Sequence, residues 1–470
     1  MRTKAIALAT AALMLIAGCG GGGGGNATTG PANEPKPAAK EESKAEPKVD
    51  ITFWTYPKWS GINGTEQGGQ LGDYERDAAK RFMAQHPNVN VKVEVLDFNN
   101  GPQKVNVALA ANEAPDVLMD GPVRFLGYAQ QGYLEPLDEH LGKDYTGAFI
   151  STLWDQTTIG DGKHYYIPWG TSPNVMLINK TLVDKAGLAD KLPKDEERTW
   201  TTDQFISFIK EVQQKTGVKG TGLFAGSESG DAFMFNYIWA AGATTYNDKF
   251  TKIALNNPAG LSGLQFMKRL ADEKLINDGA AALKATDAYN LFYDQKLVSM
   301  SAAPVHYSRG LAAIRDKKSA PYEMIMTSYP TFPGKQKSAT VLGTFGMAVF
   351  KNKDQNKLKY AVEFAKFLGS RENAAAVKAS SSFSAYADIN KTLFASEKDS
   401  NMEFAAKLLP YAVNEGFAAP GYNEIRKNNM AHLQKLILGS ETPEDALQKM
   451  ETEGNQLLEK YTKIIQEQRK

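Results

Sequence analysis

From Val49 onward the chain switches repeatedly between a two-residue and a nearly four-residue hydrophobic period, and this switching limits the folds open to it. Asn88 to Leu96 alternates without a break, with Val89, Val91, Val93 and Val95 set against Asn90, Lys92 and Glu94. That is the pattern of a strand with one buried face. Just before it, Asp73 to His86 carries Tyr74, Ala78 and Phe82 at four-residue spacing and stops at Pro87, as an amphipathic helix does. Ile51–Tyr56 and Pro115–Met119 read as further strands, with a helix through Val105–Ala111 between them. Strand signals recur near Val175–Asn179, Gly220–Phe224, Val298–Ala302, Glu323–Met326 and Val341–Phe350. Helical ones fall between, near Thr202–Lys215, Pro258–Glu273, Ala288–Asp294 and Leu358–Gly369. Such alternation builds βαβ units on a mostly parallel sheet, so the expected class is α/β. Beyond about residue 400 the signals are helical only. The last helix opens on Thr442 as N-cap, Pro443 at the first position and Asp445 three residues after the cap.

The chain is 470 residues long, more than one core supports at about 100–200 residues per domain, so two or more lobes are expected. Its 54 Lys+Arg balance 53 Asp+Glu, which leaves no basic excess for a nucleic-acid footprint. One cysteine rules out an intrachain disulfide and a Cys-rich zinc site. His86, His140, His164, His306 and His432 lie at no metal-ligand spacing, and no dinucleotide glycine motif follows a strand. Gly226 to Gly230 resembles a nucleophile elbow until its central residue is read as Glu228 rather than serine. No metal and no cofactor are expected, and no residue is marked as catalytic. A carboxylate-pair glycosidase has no short signature, so a surface glycoside hydrolase or lyase stays open as the alternative.

The N-terminus carries a separate message. A positive Met1–Lys4 precedes an apolar Ala5–Ala17, too short to span a bilayer and the right length for a signal-peptide core. Its end, Leu15 to Cys19, resembles the lipobox of bacterial lipoproteins, in which the cysteine receives a diacylglyceryl group and palmitate and becomes the first residue. Residues 1–18 are therefore read as a signal peptide. Residues 19–48, with Gly20–Gly25 and little to bury, are read as Cys19 and a disordered tether. With such a glycine-rich tether, the reading is a lipid-anchored protein on the outer face of a Gram-positive membrane, or a periplasmic one in a Gram-negative cell. The lipid is its only expected membrane contact.

Large aromatics cluster where a ligand would sit. Trp54, Tyr56 and Trp59 fall at and just beyond the end of the first strand, the edge at which open α/β sheets bind ligands. Trp169 follows Tyr165 and Tyr166 in an irregular stretch, and Trp239 and Phe345 lie close to Gly242 and Gly346. A ring stacked on the apolar face of a sugar buries roughly 50 Å², worth about 1.2 kcal/mol. Three such rings plus hydrogen bonds approach the ~8 kcal/mol of a micromolar site.

Several segments then resemble one family. Ala114 to Leu134, Pro168 to Lys180, Thr199 to Phe205, Leu291 to Met300, Gly421 to Ile425 and Gly439 to Leu447 are similar, in order, to landmarks of the extracellular solute-binding lipoproteins of ABC importers, family 1, the maltose-binding-protein-like group. The resemblance implies a two-lobed periplasmic-binding-protein-like II fold with a hinge and a central ligand cleft. It implies a first lobe of 49–168 plus 346–381 and a second of 170–343 plus 385–470. It further implies a monomeric, non-enzymatic capture protein that closes on a carbohydrate, an oligosaccharide, and delivers it to a permease powered by an ATPase. In that group the loop after the Pro-Asp strand contacts sugar through Trp, Asp and Arg. Here those positions are Asp120, Val123 and Arg124, so only the arginine matches and the resemblance does not extend to maltodextrin specificity. Asp120 is expected to hold adjacent hydroxyls, and Arg124 to touch ligand or anchor the following helix. Trp54 and Trp169 are the foremost stacking residues, followed by Trp239, His306, Phe345 and Tyr422, placed by loops after strands or at crossovers. A binding protein for a peptide, polyamine or phosphorylated solute is the remaining reading.

Overall fold

The computed structural model of the protein describes residues 47–97, 100–226, 230–335 and 340–468. The expected signal peptide, Cys19 and the tether lie outside them. The chain opens with β1 (Val49–Thr55), α1 (Asp73–Gln85), β2 (Val89–Val95), α2 (Gly101–Ala110), β3 (Val117–Asp120) and α3 (Pro122–Gln130). Two strands separated only by Asn174 follow, β4 (Ile167–Pro173) and β5 (Val175–Asn179). Next come α4 (Thr202–Thr216), β6 (Lys219–Gly222), α5 (Gly230–Ala240), α6 (Pro258–Asp272), α7 (Ala285–Tyr293), β7 (Leu297–Ala302), α8 (Pro304–Arg315) and β8 (Met324–Thr327). The last third holds β9 (Thr340–Val349), α9 (Gln355–Leu368), β10 (Phe383–Ser384), α10 (Ser400–Leu408), β11 (Ala412–Val413), α11 (Tyr422–Leu438) and α12 (Pro443–Gln468).

These strands form two sheets, one for each lobe of a two-lobed α/β fold. The first has the order β10-β4-β9-β3-β1-β2, with β11 also on β9; the second runs β6-β7-β5-β8. The βαβ units deliver their parallel pairs, β1 with β2 and β3, and β6 with β7. The expectation of a mostly parallel sheet is corrected, however, because both sheets are mixed. Strand β9 lies antiparallel to β3 and β4, and β5 antiparallel to β7 and β8. The reason is connectivity: β4 runs directly into β5, and β9 returns from the second lobe, so each crossover strand enters its sheet against the grain. The tail also contains the short β11, which pairs with β9, so it is not purely helical.

Local signals account for the elements. The four valines of β2 put Val89 and Val91 in the core, while Asn90 and Lys92 are exposed. Helix α4 carries a reciprocal capping box between Thr201 and Gln204 and ends at Gly217, whose φ of 73° suits a residue without a side chain. In α12 the Asp445 amide donates to Thr442 Oγ1 at 3.1 Å, as the sequence pattern predicts. One apolar cluster fills the β1–β2–β3–β9 face under α1 and α9 and continues onto β7 and β8; another lies between β5 and helices α4, α5, α6 and α11. A third, smaller cluster fills the opposite face of β1 and β3 against α2 and α3.

Candidate ligand-binding cleft

A cavity of about 750 Å³ opens between α2 and α3 on one side and Ala225, Gly226 and α11 on the other. Arg124 and Tyr128 line it from α3 and Gln131 from the residue that ends that helix, and Asn423, Arg426, Lys427 and Gln434 from α11. Each wall presents a guanidinium with an aspartate behind it.

The first wall is built locally. Strand β3 ends at the fully buried Asp120, and helix α3 starts two residues later. The Gly121 amide donates to Asp120 Oδ1 at 2.7 Å. Arg124, one helical turn on, donates to both carboxylate oxygens through Nε and Nη2. Its guanidinium lies 4.9 Å from the ring of buried Tyr56. Burial, followed by the charge of Asp120, drives the Tyr56 hydroxyl pKa well above its usual value. Tyr56 in turn needs a glycine beside it, since a Cβ on Gly101 would sit 2.7 Å from the phenol oxygen.

The second wall is built from distant parts of the chain. Arg426 Nε and Nη2 donate to Asp231 Oδ2 and Oδ1 at 2.7 and 2.6 Å. Asp231 sits buried in the first turn of α5. Burial pushes its carboxyl up and the Arg426 guanidinium pulls it back. Tyr422, one turn before Arg426, lies with its ring 5.5 Å from that guanidinium and its hydroxyl bonded to Glu415 Oε1. Glu415 is buried, and burial raises its pKa to about 7 against the pull of Arg426. Trp239 packs behind this wall and donates from Nε1 to Thr245 Oγ1 at 3.1 Å.

The other expected residues lie elsewhere. Trp59, Trp169 and Phe345 form a buried column with Tyr74: Trp169 is 5.7 Å from Trp59, 5.4 Å from Tyr74 and 5.7 Å, edge-on, from Phe345. Both indole N–H groups are spent on backbone carbonyls, Trp59 on Ile62 at 3.1 Å and Trp169 on Asn373 at 3.0 Å. Gly170 makes room for the Phe345 ring, which a Cβ there would meet at 2.2 Å. Lys58 Nζ lies 5.3 Å from the Phe345 ring, and burial lowers its pKa. Trp54 is half-buried in the small cluster, with Lys104 Nζ 4.9 Å from its ring. His306 stacks on Tyr289 at 3.8 Å and accepts the Ala303 amide at 3.0 Å, capping α8; burial drops its pKa to about 3.

Tyr56, Asp120 and Arg124 thus meet on one wall, Tyr422 and Trp239 stand behind the other, and the column, Trp54 and His306 are three further places. Sequence reasoning missed Arg426, Asp231, Glu415 and Tyr128. Arg426 carried a usable signal, its spacing of four from Tyr422 on one helix face. Asp231 carried none. Among the described residues no cluster of three or more His, Cys, Asp or Glu is placed to hold a metal, and no helix is long and apolar enough to cross a membrane.

The profile of bacterial extracellular solute-binding proteins matches residues 68–375 of this chain. The chain belongs to that family. A binding protein of Brucella abortus (strain 2308) is 27% identical over 240 residues, which are 51% of this chain and 56% of the relative. The chain therefore spans little more than half the length of that relative. The arabinooligosaccharide-binding protein of Bacillus subtilis (strain 168) is 23% identical over 71% of this chain and 72% of its own. Among solved structures, the cyclic alpha-maltosyl-1,6-maltose binding protein of Arthrobacter globiformis superposes with a TM-score of 0.73 at 20% identity, over 88% of this chain and 100% of the other. This solute-binding protein shares that two-lobed fold.

Proposed function

We propose that this solute-binding protein captures a neutral carbohydrate, an oligosaccharide, between its lobes and hands it to the permease and ATPase of an ABC importer. The observation that carries the reading is the pair of arginines lining one cavity, each bound through two donors to its own buried aspartate. Each arginine's charge is matched by its aspartate, and a guanidinium with five N–H donors is a hydrogen-bonding group suited to hydroxyl oxygens. Such walls suit a ligand rich in hydroxyls and without net charge. Lys427 and Glu424, also on the lining, keep the balance. The relatives with carbohydrate in their names support the same class.

In this reading the lobes are 49–168 with 346–381 and 170–343 with 385–470, and a ligand favours the closed state because it touches both walls. The protein acts as a monomer without catalysis, held outside the cell by a lipid on Cys19 after removal of residues 1–18. An anchored protein works near its permease at high effective concentration. Of the residues foreseen as ligand-binding, Arg124 lines the cavity, and Tyr56, Asp120, Tyr422 and Trp239 support its walls.

The test is a thermal-shift screen of the protein against mono- and oligosaccharides, with mass spectrometry of each hit. Stabilisation by several degrees with intact sugar is expected. Shortened sugar in the hit wells means a hydrolase, and stabilisation only by peptides or charged solutes overturns the carbohydrate class. For the anchor, the mature protein is expected to carry a lipid-sized mass at its N-terminus, and Cys19→Ser to appear in the medium.

A further inference from the structure

Behind Arg426 lies a chain of buried polar groups that does not itself line the large cavity. Glu415 contacts Tyr422, Tyr422 lies against Arg426, and Arg426 is clamped by Asp231. Glu415, Asp231, Tyr246, Tyr422 and Arg426 all border a second void of about 10 Å³ with Trp239, hardly room for one water. Among the described residues, the titratable or charged groups facing Glu415 are Tyr422, from the start of α11, Arg426, one turn on, Asp231, from α5, and Tyr246, from the loop after α5. Ionising Glu415 adds a negative charge beside Asp231 in a space that water scarcely enters.

We propose that Glu415 is a positioning residue of the binding cleft: through Tyr422 it sets how the Arg426 guanidinium is offered to a ligand, and its proton makes capture pH-dependent. The proposal rests on the large cavity being the ligand site. When Glu415 is protonated, Tyr422 and Asp231 hold Arg426 at the cavity wall. When it ionises, a second carboxylate adds its pull to that of Asp231 and draws the guanidinium inward. A ligand over Arg426 removes water from this side and makes the extra buried charge costlier, so the ligand favours the protonated form. Affinity then falls as pH rises through the titration of Glu415, by up to about tenfold per pH unit. Burial, against the pull of Arg426, raises that carboxyl to about 7, within the range an extracellular protein meets.

The decisive measurement follows the arginine side-chain ¹⁵N resonances of the full, ligand-free chain from about pH 5.5 to about pH 9, with Arg426 assigned by Arg426→Lys. In the wild type the Arg426 Nε resonance is expected to move with a midpoint near neutrality, and in Glu415→Gln to stay still. Tyr422→Phe is expected to weaken the movement, which keeps the test sharp should Glu415→Gln fold poorly. A static resonance in the wild type, or an undiminished titration in either variant, overturns the proposal. Calorimetry with malto- and arabino-oligosaccharides then reads the consequence: wild-type affinity is expected to drop about tenfold between pH 6 and pH 8.5, and Glu415→Gln to lose that drop. Equal wild-type affinity at both pH values overturns the proposal. No binding by either sugar sinks the carbohydrate reading instead, and the arginine resonance then decides the role of Glu415.

Discussion

The two walls of the cleft use one device made in two ways. On the first, Asp120 and Arg124 are four residues apart, at the end of a strand and the start of the helix that follows. On the second, Asp231 and Arg426 are separated by 195 residues and meet only because α5 and α11 pack together. In both, the guanidinium offers Nε and Nη2 to a buried aspartate. The difference lies in what surrounds the pair. Both guanidiniums lean on a tyrosine ring, but Arg124 retains 32% side-chain exposure, whereas Arg426 retains 21% and has a further acid, Glu415, behind it. A locally made clamp tolerates solvent, and a clamp made by tertiary packing is drier and depends more on each partner.

That contrast orders the expected effects. Asp231→Ala removes the carboxylate that takes two donors of a mostly buried guanidinium, and the loss on chemical denaturation is expected to be about 3–5 kcal/mol; a loss no larger than that of Asp120→Ala would show the second clamp to be no drier than the first. Glu415 comes next. Its pKa is higher folded, about 7, than the ordinary 4.5, so the folded chain holds the extra proton and the stabilisation is complete below pH 4.5. It fades as pH rises through 7, by about 3 kcal/mol in all. Unfolding free energies of the wild type should therefore fall over this window relative to Glu415→Gln, and parallel curves would show that Glu415 does not distinguish the two walls. Asp120→Ala should cost less, about 1–3 kcal/mol, because water reaches Arg124.

On binding, Arg124→Lys and Arg426→Lys each lose the fork that holds an aspartate and a hydroxyl together, and affinity for a sugar that binds is expected to fall about tenfold in each. A loss at one wall alone would show that the ligand does not bridge the lobes. The smallest signal is optical. No tryptophan stands among the described residues lining the cavity, and Trp239 packs behind the second wall, so a modest fluorescence change is expected that disappears in Trp239→Phe. A large change that survives that substitution would place the ligand against the Trp59–Trp169 column instead.

The same contrast explains what could be read from residue order. The alternating valines of β2 and the Thr442–Asp445 cap are local patterns, and the structure holds them where the periodicity put them. The segment Asp120 to Arg124 was legible because strand end, turn and helix start lie within five residues. Mixed sheets were not legible, since strand direction depends on which lobe a crossover returns from. Nor does aromatic identity record packing: the rings of Trp59, Trp169 and Phe345 pack on one another, and both indole N–H groups are taken by backbone carbonyls.

The amino-acid sequence by itself determined the α/β class, the main elements with their caps, and the order of landmarks that marks a solute-binding protein. All of these rest on hydrophobic period, turn residues and short motifs, which act over a few positions. Only the tertiary structure decided that Arg426 and Arg124 line one cavity, that Asp231 reaches across 195 residues to hold Arg426, and that Glu415 sits dry behind the second wall. Those facts depend on desolvation and on charges brought together by packing, and neither exists until the chain has folded.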